Sequence, residues 1–322
     1  MKRLAIVGLV LLLIGVLAFG IGYWLTDGDL SVLNGSVGSV DIQYHDGSDG
    51  SYGFSVEPRN GGSSGGFSGS RGESGGVRTM QFDFAGVTRL ALSEDAGNVE
   101  VVPSADGDVH LYGWEEDNYP LRVTEQNGVV TVKRGGGTMI GYSIGIDASD
   151  RFIRVELPAA FDGALELEVD TGNLSMDSVA FGRGTIDADA GNVEIRDVSV
   201  SGPLEIDVDA GGIFLRSVAA ESLTADCDIG SIELLDVLVE SDLMADCDTG
   251  DISVEELSAG RQISLRCDVG NVEGTLAGSE SDYAIRASAG AGSNSLQGTR
   301  GGGSIVLDVR VDVGTIDLSF SG

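Results

Sequence analysis

From about residue 160 onward, apolar and polar positions alternate one by one, the period of a β-strand with one buried face. The segment LEIDVDAGGIFL, beginning at Leu204, shows the unit. Ile206, Val208 and Ala210 are expected to face inward and Glu205, Asp207 and Asp209 outward. Gly211 and Gly212 then interrupt the alternation, and Ile213 and Leu215 resume the inward pattern. Glycine at the break admits a positive φ or a tight corner where a Cβ would clash. No helical periodicity longer than about two turns follows residue 80.

The break recurs. A phrase Asp-x-Gly-(polar or small)-(Val/Ile/Leu) begins at Asp170, Asp189, Asp209, Asp228, Asp248 and Asp268, with separations of 19, 20, 19, 20 and 20. A decayed copy stands at Ser288, a final one at Asp312 and an isolated early one at Asp95. A strand, corner, strand unit repeating at this period predicts a parallel β-solenoid, each turn stacked on the last at ~4.8 Å. Eight turns would make a core about 40 Å long. A β-sandwich or propeller ranks below it, because a propeller blade needs about 40 residues and hairpins would show two-residue turn signals between strands. The predicted all-β solenoid covers residues 80–322: irregular first coils and a cap over 80–158, regular repeats over 159–322.

The first 26 residues read differently. Leu4 to Leu25 is a run of 22 uncharged, mostly apolar residues, about 33 Å as a helix and enough to cross a ~30 Å hydrocarbon core. It is longer than a signal-peptide core and ends in Tyr23 and Trp24, which suit a membrane interface, so an uncleaved anchor is expected. Lys2 and Arg3 before it and Asp27 and Asp29 after it predict a cell-membrane protein crossing once, its C-terminal domain extracellular. Residues 27–79 are rich in Gly and Ser and are expected to be a linker. The N-x-S/T sequons at Asn34 and Asn173 are glycosylation candidates.

Charge then narrows the partners. There are 51 acids against 19 bases, a formal net charge of −32, which excludes nucleic acid because a polyanion needs clustered Lys and Arg. The acids comprise 32 Asp and 19 Glu, while Lys2 and Lys133 are the only lysines. With 42% hydrophobic residues the chain can still bury a core, so disorder does not explain the acidity. A folded protein working in concentrated salt, where screening removes self-repulsion, does.

The lead-in GVTRLALSEDAGNVEVVPSADGDVHLYGW, then VTVKR, then IRVELP followed by serial D-x-G-N-V copies, resembles the β-strand-repeat family labelled "putative adhesin", over residues of about 80 to 322. The resemblance implies an envelope protein of β-repeat fold with no catalytic residues to carry over. With the low-Lys, Asp-rich composition it implies a haloarchaeal, membrane-anchored member.

Two side-chain sets invite chemistry. Cys227, Cys247 and Cys267 precede the corner in consecutive units and should stack inward. A metal would need the thiolates to converge, whereas a ladder spreads them over about 10 Å, so buried thiols acting as small core residues are expected. The second set is a pair of outward Asp columns, one running from Asp170 to Asp268 and one through Asp187, Asp207, Asp226 and Asp246. At ~4.8 Å each like-charged pair costs under ~1 kcal/mol in water and less in molar salt. Asp189, Asp209, Asp228, Asp248 and Asp268 are therefore candidate Ca²⁺ ligands, although neither an EF-hand nor a nonapeptide calcium repeat is present. No phosphate-binding loop or Ser-His-Asp set is found, so no catalysis and no other cofactor are expected. The expected role is a cell-surface, adhesin-like interaction protein meeting an envelope protein or glycan. The alternatives are a cation- or carbohydrate-binding module and an envelope-stress accessory protein.

Overall fold

The computed structural model describes residues 35–37, 40–46, 52–58, 78–115, 120–134, 152–296 and 298–322, and the chain divides after Gly72 into two units. In the first, strands Gly35–Val37, Val40–Asp46 and Tyr52–Pro58 pair antiparallel in sequence order. They fall within the segment expected to be linker. The expected span Leu4 to Leu25 and the sequon at Asn34 lie outside the described residues, among which no helix is long and apolar enough to cross a membrane.

The described part of the second unit is all β apart from one 3-10 turn, Glu280–Asp282. Its strands wind into a parallel, solenoid-like stack. Leu167 lies opposite Ile186, and Ile186 opposite Ile206; further along, Leu223 meets Leu243, and Leu243 meets Ile263. These offsets are the 19–20 residue period of the sequence. Because every turn carries the same alternation, in-register parallel pairing sets each inward position on its equivalent, and a one-residue slip would turn the whole apolar set to solvent.

Each turn breaks the alternation three times. The buried apolar side chains of one turn are Leu204, Ile206 and Val208, then Ile213 and Leu215, then Val218 and Ala220, before Leu223 opens the next. Gly211 makes the first break and carries Ala210, expected inward, partly out to solvent. Ser217 makes the second with φ 53°, and Ser178, Asp197, Asp236 and Glu256 occupy the same place on other turns with φ of 56°, 53°, 53° and 51°. Asp tolerates this left-handed region, and Ser and Glu are held in it by the stacked turns. Each large aliphatic side chain buried by the stack contributes about 1.5–3 kcal/mol.

Both ends depart from sequence order. Gln262–Val269 pairs with Ile305–Val313, and Tyr283–Ala291 lies outside that, so the last two turns are exchanged relative to a simple winding. Gly298–Gly301 runs antiparallel along Tyr283–Ala291, and the Ser295 hydroxyl accepts the Leu318 N–H at 3.0 Å and donates to its carbonyl at 3.2 Å. Both contacts cover edge groups that would otherwise template another strand. At the other end, the isolated Asp95 copy belongs to a regular turn: Leu92 lies opposite Leu167, and Val99 opposite Leu174. Beyond that turn sit Val129–Arg134 and Phe152–Leu157, and antiparallel strands Leu121–Gln126, Val109–Glu115 and Arg78–Phe84 close the edge. The irregular segment therefore contributes one ordinary turn, one composite turn and a cap.

Candidate functional site

The corner built by the Asp-x-Gly phrase is the most regular surface of the molecule. In spatial order its glycines are Gly97, Gly172, Gly191, Gly211, Gly230, Gly250, Gly270, Gly314 and Gly292. A Cβ on any of the last eight would lie 1.4–1.9 Å from the carbonyl oxygen of the glycine on the preceding turn. Their φ values are 143–155°. Glycine is thus fixed by direct backbone contact between turns as well as by φ.

The following polar residue works across turns too. Asn98 Oδ1 accepts the Asn173 N–H at 2.9 Å, Asn173 Oδ1 the Asn192 N–H at 3.0 Å and Asn192 Oδ1 the Gly212 N–H at 2.9 Å. Asp251 and Asn271 repeat the arrangement, at 2.8 Å to the Asn271 N–H and 3.1 Å to the Thr315 N–H. Asn173, the second glycosylation candidate, is exposed with its amide oxygen held in this ladder.

Before the glycine stands an exposed row that sequence reasoning missed. Ile229, Thr249, Val269, Val313 and Ala291 are register partners on successive turns, and Ile229, Val269 and Val313 are 44%, 51% and 53% exposed. The row was hidden because alternation assigned the position inward, as it did Ala210.

Beside it run the carboxylates. Asp189, Asp248 and Asp268 are exposed, and Asp209 and Asp228 half-buried, one on each of five successive turns. Among the described residues no three His, Cys, Asp or Glu side chains converge where a metal ion would sit. In the second column Glu168, Asp187 and Asp207 are in register, as are Asp226 and Asp246, but the column continues into Arg266 and Arg310. Arg266 approaches Asp246 at 3.4 Å, and Arg310 holds Asp312 at 2.9 Å. The acidic strip is therefore bounded by basic side chains toward the C-terminal end. Crowding shows in the titration of its other end: Asp170 is pushed up to about 6 by partial burial and then by Asp189, Asp95 and other neighbouring carboxylates. Asp187 and Asp189 are raised by the same two causes, burial first.

Cys227, Cys247 and Cys267 are buried free thiols stacked in register, in a column continued by Val311. Each Sγ faces the carbonyl of the preceding corner glycine, at 3.5, 3.8 and 3.1 Å. Cys247 is held above the ordinary thiol range by its contact with Cys227 and by burial, and burial pushes Cys267 up to about 12. Cys227 is shifted the other way, lowered by the same contact with Cys247; the burial of all three matches the expectation of thiols acting as small core residues.

Away from the corner, the cap holds two clusters that periodicity could not reveal. His110 bridges Asp83 at 2.7 Å and Asp106 at 2.9 Å, and hydrogen bonding to these carboxylates raises its pKa. The second is a fully buried ion pair between Glu94 and Arg134 at 2.6 Å.

A stack of turns with its core inside and aligned rows of side chains outside is an all-β, solenoid-like repeat protein. The chain belongs to the Toastrack DUF4097 family, whose model matches residues 87–319. It is similar in structure to a "putative adhesin" from Bacteroides fragilis, at 14% identity and TM-score 0.47 over 76% of this chain and 98% of that one. A "putative adhesin" from Parabacteroides distasonis is 13% identical with TM-score 0.38 over 76% and 98%. A "putative lipid binding protein" from the same species is 11% identical with TM-score 0.20 over 77% and 96%. No curated protein matches the chain.

Proposed function

We propose that this protein is an adhesin-like interaction scaffold, anchored in the cell membrane through Leu4 to Leu25. Its acidic, salt-adapted solenoid is displayed outside the cell to bind an envelope protein or glycan along the corner. The observation that carries the reading is the repetition of the corner itself. A mostly apolar row interrupted by Thr249, a carboxylate row and two stretches of amide ladder line the corner over several turns, so a partner of repeating structure can add contacts turn by turn, each weak and together strong. No chemical step is ascribed to it.

The test is saturable binding of the full-length protein to isolated envelopes of the cells that make it, at the salt of their growth. A variant carrying Ile229→Ser, Val269→Ser and Val313→Ser should lose at least tenfold in affinity, whereas Glu233→Gln with Glu273→Gln, on another face, should not. Equal binding by both variants, or no saturable binding by the wild type, would remove the proposal. A second reading, cation or carbohydrate binding, draws support from the carboxyls around Asp170, whose raised proton affinity a bound cation would relieve. Saturable Ca²⁺ heat in molar KCl, abolished by Asp209→Asn with Asp228→Asn, would favour it.

A further inference from the structure

Three positions before each corner glycine, an inward side chain points into the solenoid interior. On successive turns these are Val169, Ala188, Val208, Cys227, Cys247 and Cys267, all buried. On the turn that ends the regular stack the same position is Glu94, in register with Val169 on one side and Arg134 on the other. An apolar column therefore terminates in a carboxylate and a guanidinium, both side chains 0% exposed.

Their contacts tie the cap together. Arg134 Nε donates to Glu94 Oε2 at 2.6 Å and Nη1 to the Trp114 carbonyl at 2.5 Å, and the guanidinium lies 4.0 Å over the Trp114 ring. The Ala96 N–H donates to Glu94 Oε1 at 3.3 Å. Gly113 lets this packing close, since a Cβ there would lie 2.6 Å from Leu121 Cδ2. Strands Arg89–Glu94, Val109–Glu115 and Val129–Arg134, distant in sequence, meet at one ion pair.

A buried pair of this kind contributes little net stability over apolar side chains of similar size, but a buried carboxylate without its cation is costly. That asymmetry matters in a self-similar molecule. Every regular turn offers the same strand, corner and apolar inward row, so the open end of the stack could accept a turn from elsewhere in the chain or from a second copy. All such turns carry Val, Ala or Cys at the position facing Glu94 and, at a pH where Glu94 is ionised, would bury its charge unpaired. Val129–Arg134 alone among the described strands stacked on this column brings an inward cation. We propose that the Glu94–Arg134 pair is the lock that selects the out-of-sequence terminal turn and refuses all others, holding the cap in one register and preventing end-to-end stacking of copies.

The test makes the column apolar throughout, with Glu94→Val and Arg134→Leu together in the full chain. The double variant should fold with a Tm within a few degrees of wild type. In hydrogen exchange, amides of Leu121–Gln126 and Val129–Arg134 should exchange at least tenfold faster while those around Gly230 and Gly250 stay protected. Sedimentation should reveal concentration-dependent oligomers that the wild type lacks. Arg134→Leu alone should be less stable than the double variant. Wild-type exchange in the cap without new oligomers would overturn the lock. So would a double variant that fails to fold, since the pair would then serve stability rather than selection.

Discussion

The regular turns from Gly172 to Gly270 and the cap before Pro158 are built of the same alternating strands but held by different means. Between successive regular turns the register partners are 19 or 20 residues apart, pairing is parallel, and the interior is wholly apolar or thiol. In the cap, neighbours such as Leu92 and Leu167 or Val101 and Val155 are far apart in the chain, three of the five pairings among its own described strands are antiparallel, and charges are buried. Repetition lets one side-chain choice serve every turn, whereas an end must be specified individually. The regular turns should therefore fail through backbone sterics, and the cap through protonation and pairing.

The largest effect should come from the corner. In Gly230→Ala the new methyl would lie 1.4 Å from the Gly211 carbonyl oxygen at φ 155°, and a loss of at least about 4 kcal/mol in urea unfolding is expected. Gly107→Ala, in the cap with open space around it, should change stability by under ~0.5 kcal/mol. Similar losses for the two would erase the contrast.

Next comes pH. Burial raises Glu94 from 4.5 to about 7, so between these values the folded protein holds a proton that the unfolded chain releases. Stability should then fall as pH rises through that window, by on the order of 3 kcal/mol for this group. The raised pKa of His110 has the same sign: its contribution is present below the ordinary histidine value and is lost as pH rises through the folded one. Tm should be roughly 5–10 °C higher at pH 5 than at pH 8, and Glu94→Gln should flatten the profile. A flat wild-type profile would show that the cap does not titrate.

The smallest effect belongs to the acidic strip. Replacing Asp187, in register with Glu168 and Asp207, by Asn should stabilise the protein by a few tenths of a kcal/mol at low salt and by nothing measurable in 1 M KCl. A gain that persists in molar salt would argue against screening as the reason so many carboxylates are tolerated.

Much of this was legible in the chain. The alternation gave inward positions such as Ile206 and Val208, the Asp-x-Gly spacing gave the period and the corner, and the three cysteines were placed in one buried column. The second corner also left a trace, a three-residue step from Ile195 to Val198, but its left-handed Asp197 resembles any other polar residue in a list. The exposed Ile229, Val269 and Val313 row was misread because alternation does not record where a corner turns a strand over. Arg266 and Arg310 stand two residues before Asp268 and Asp312, as Asp246 does before Asp248, so their column was legible from the repeat; that Arg310 lies next to Arg266 follows only from register.

The sequence by itself determined what is local and repeated: strand period, turn length, the glycine corners and the inward column, because each depends on neighbours one turn away carrying the same pattern. Only the tertiary structure decided the ends. The exchange of the last two turns and the seating of Val129–Arg134 against Arg89–Glu94 depend on complementarity between segments tens of residues apart. Glu94 is one acid among 51 in the sequence, and burial opposite Arg134 gives it a distinct role.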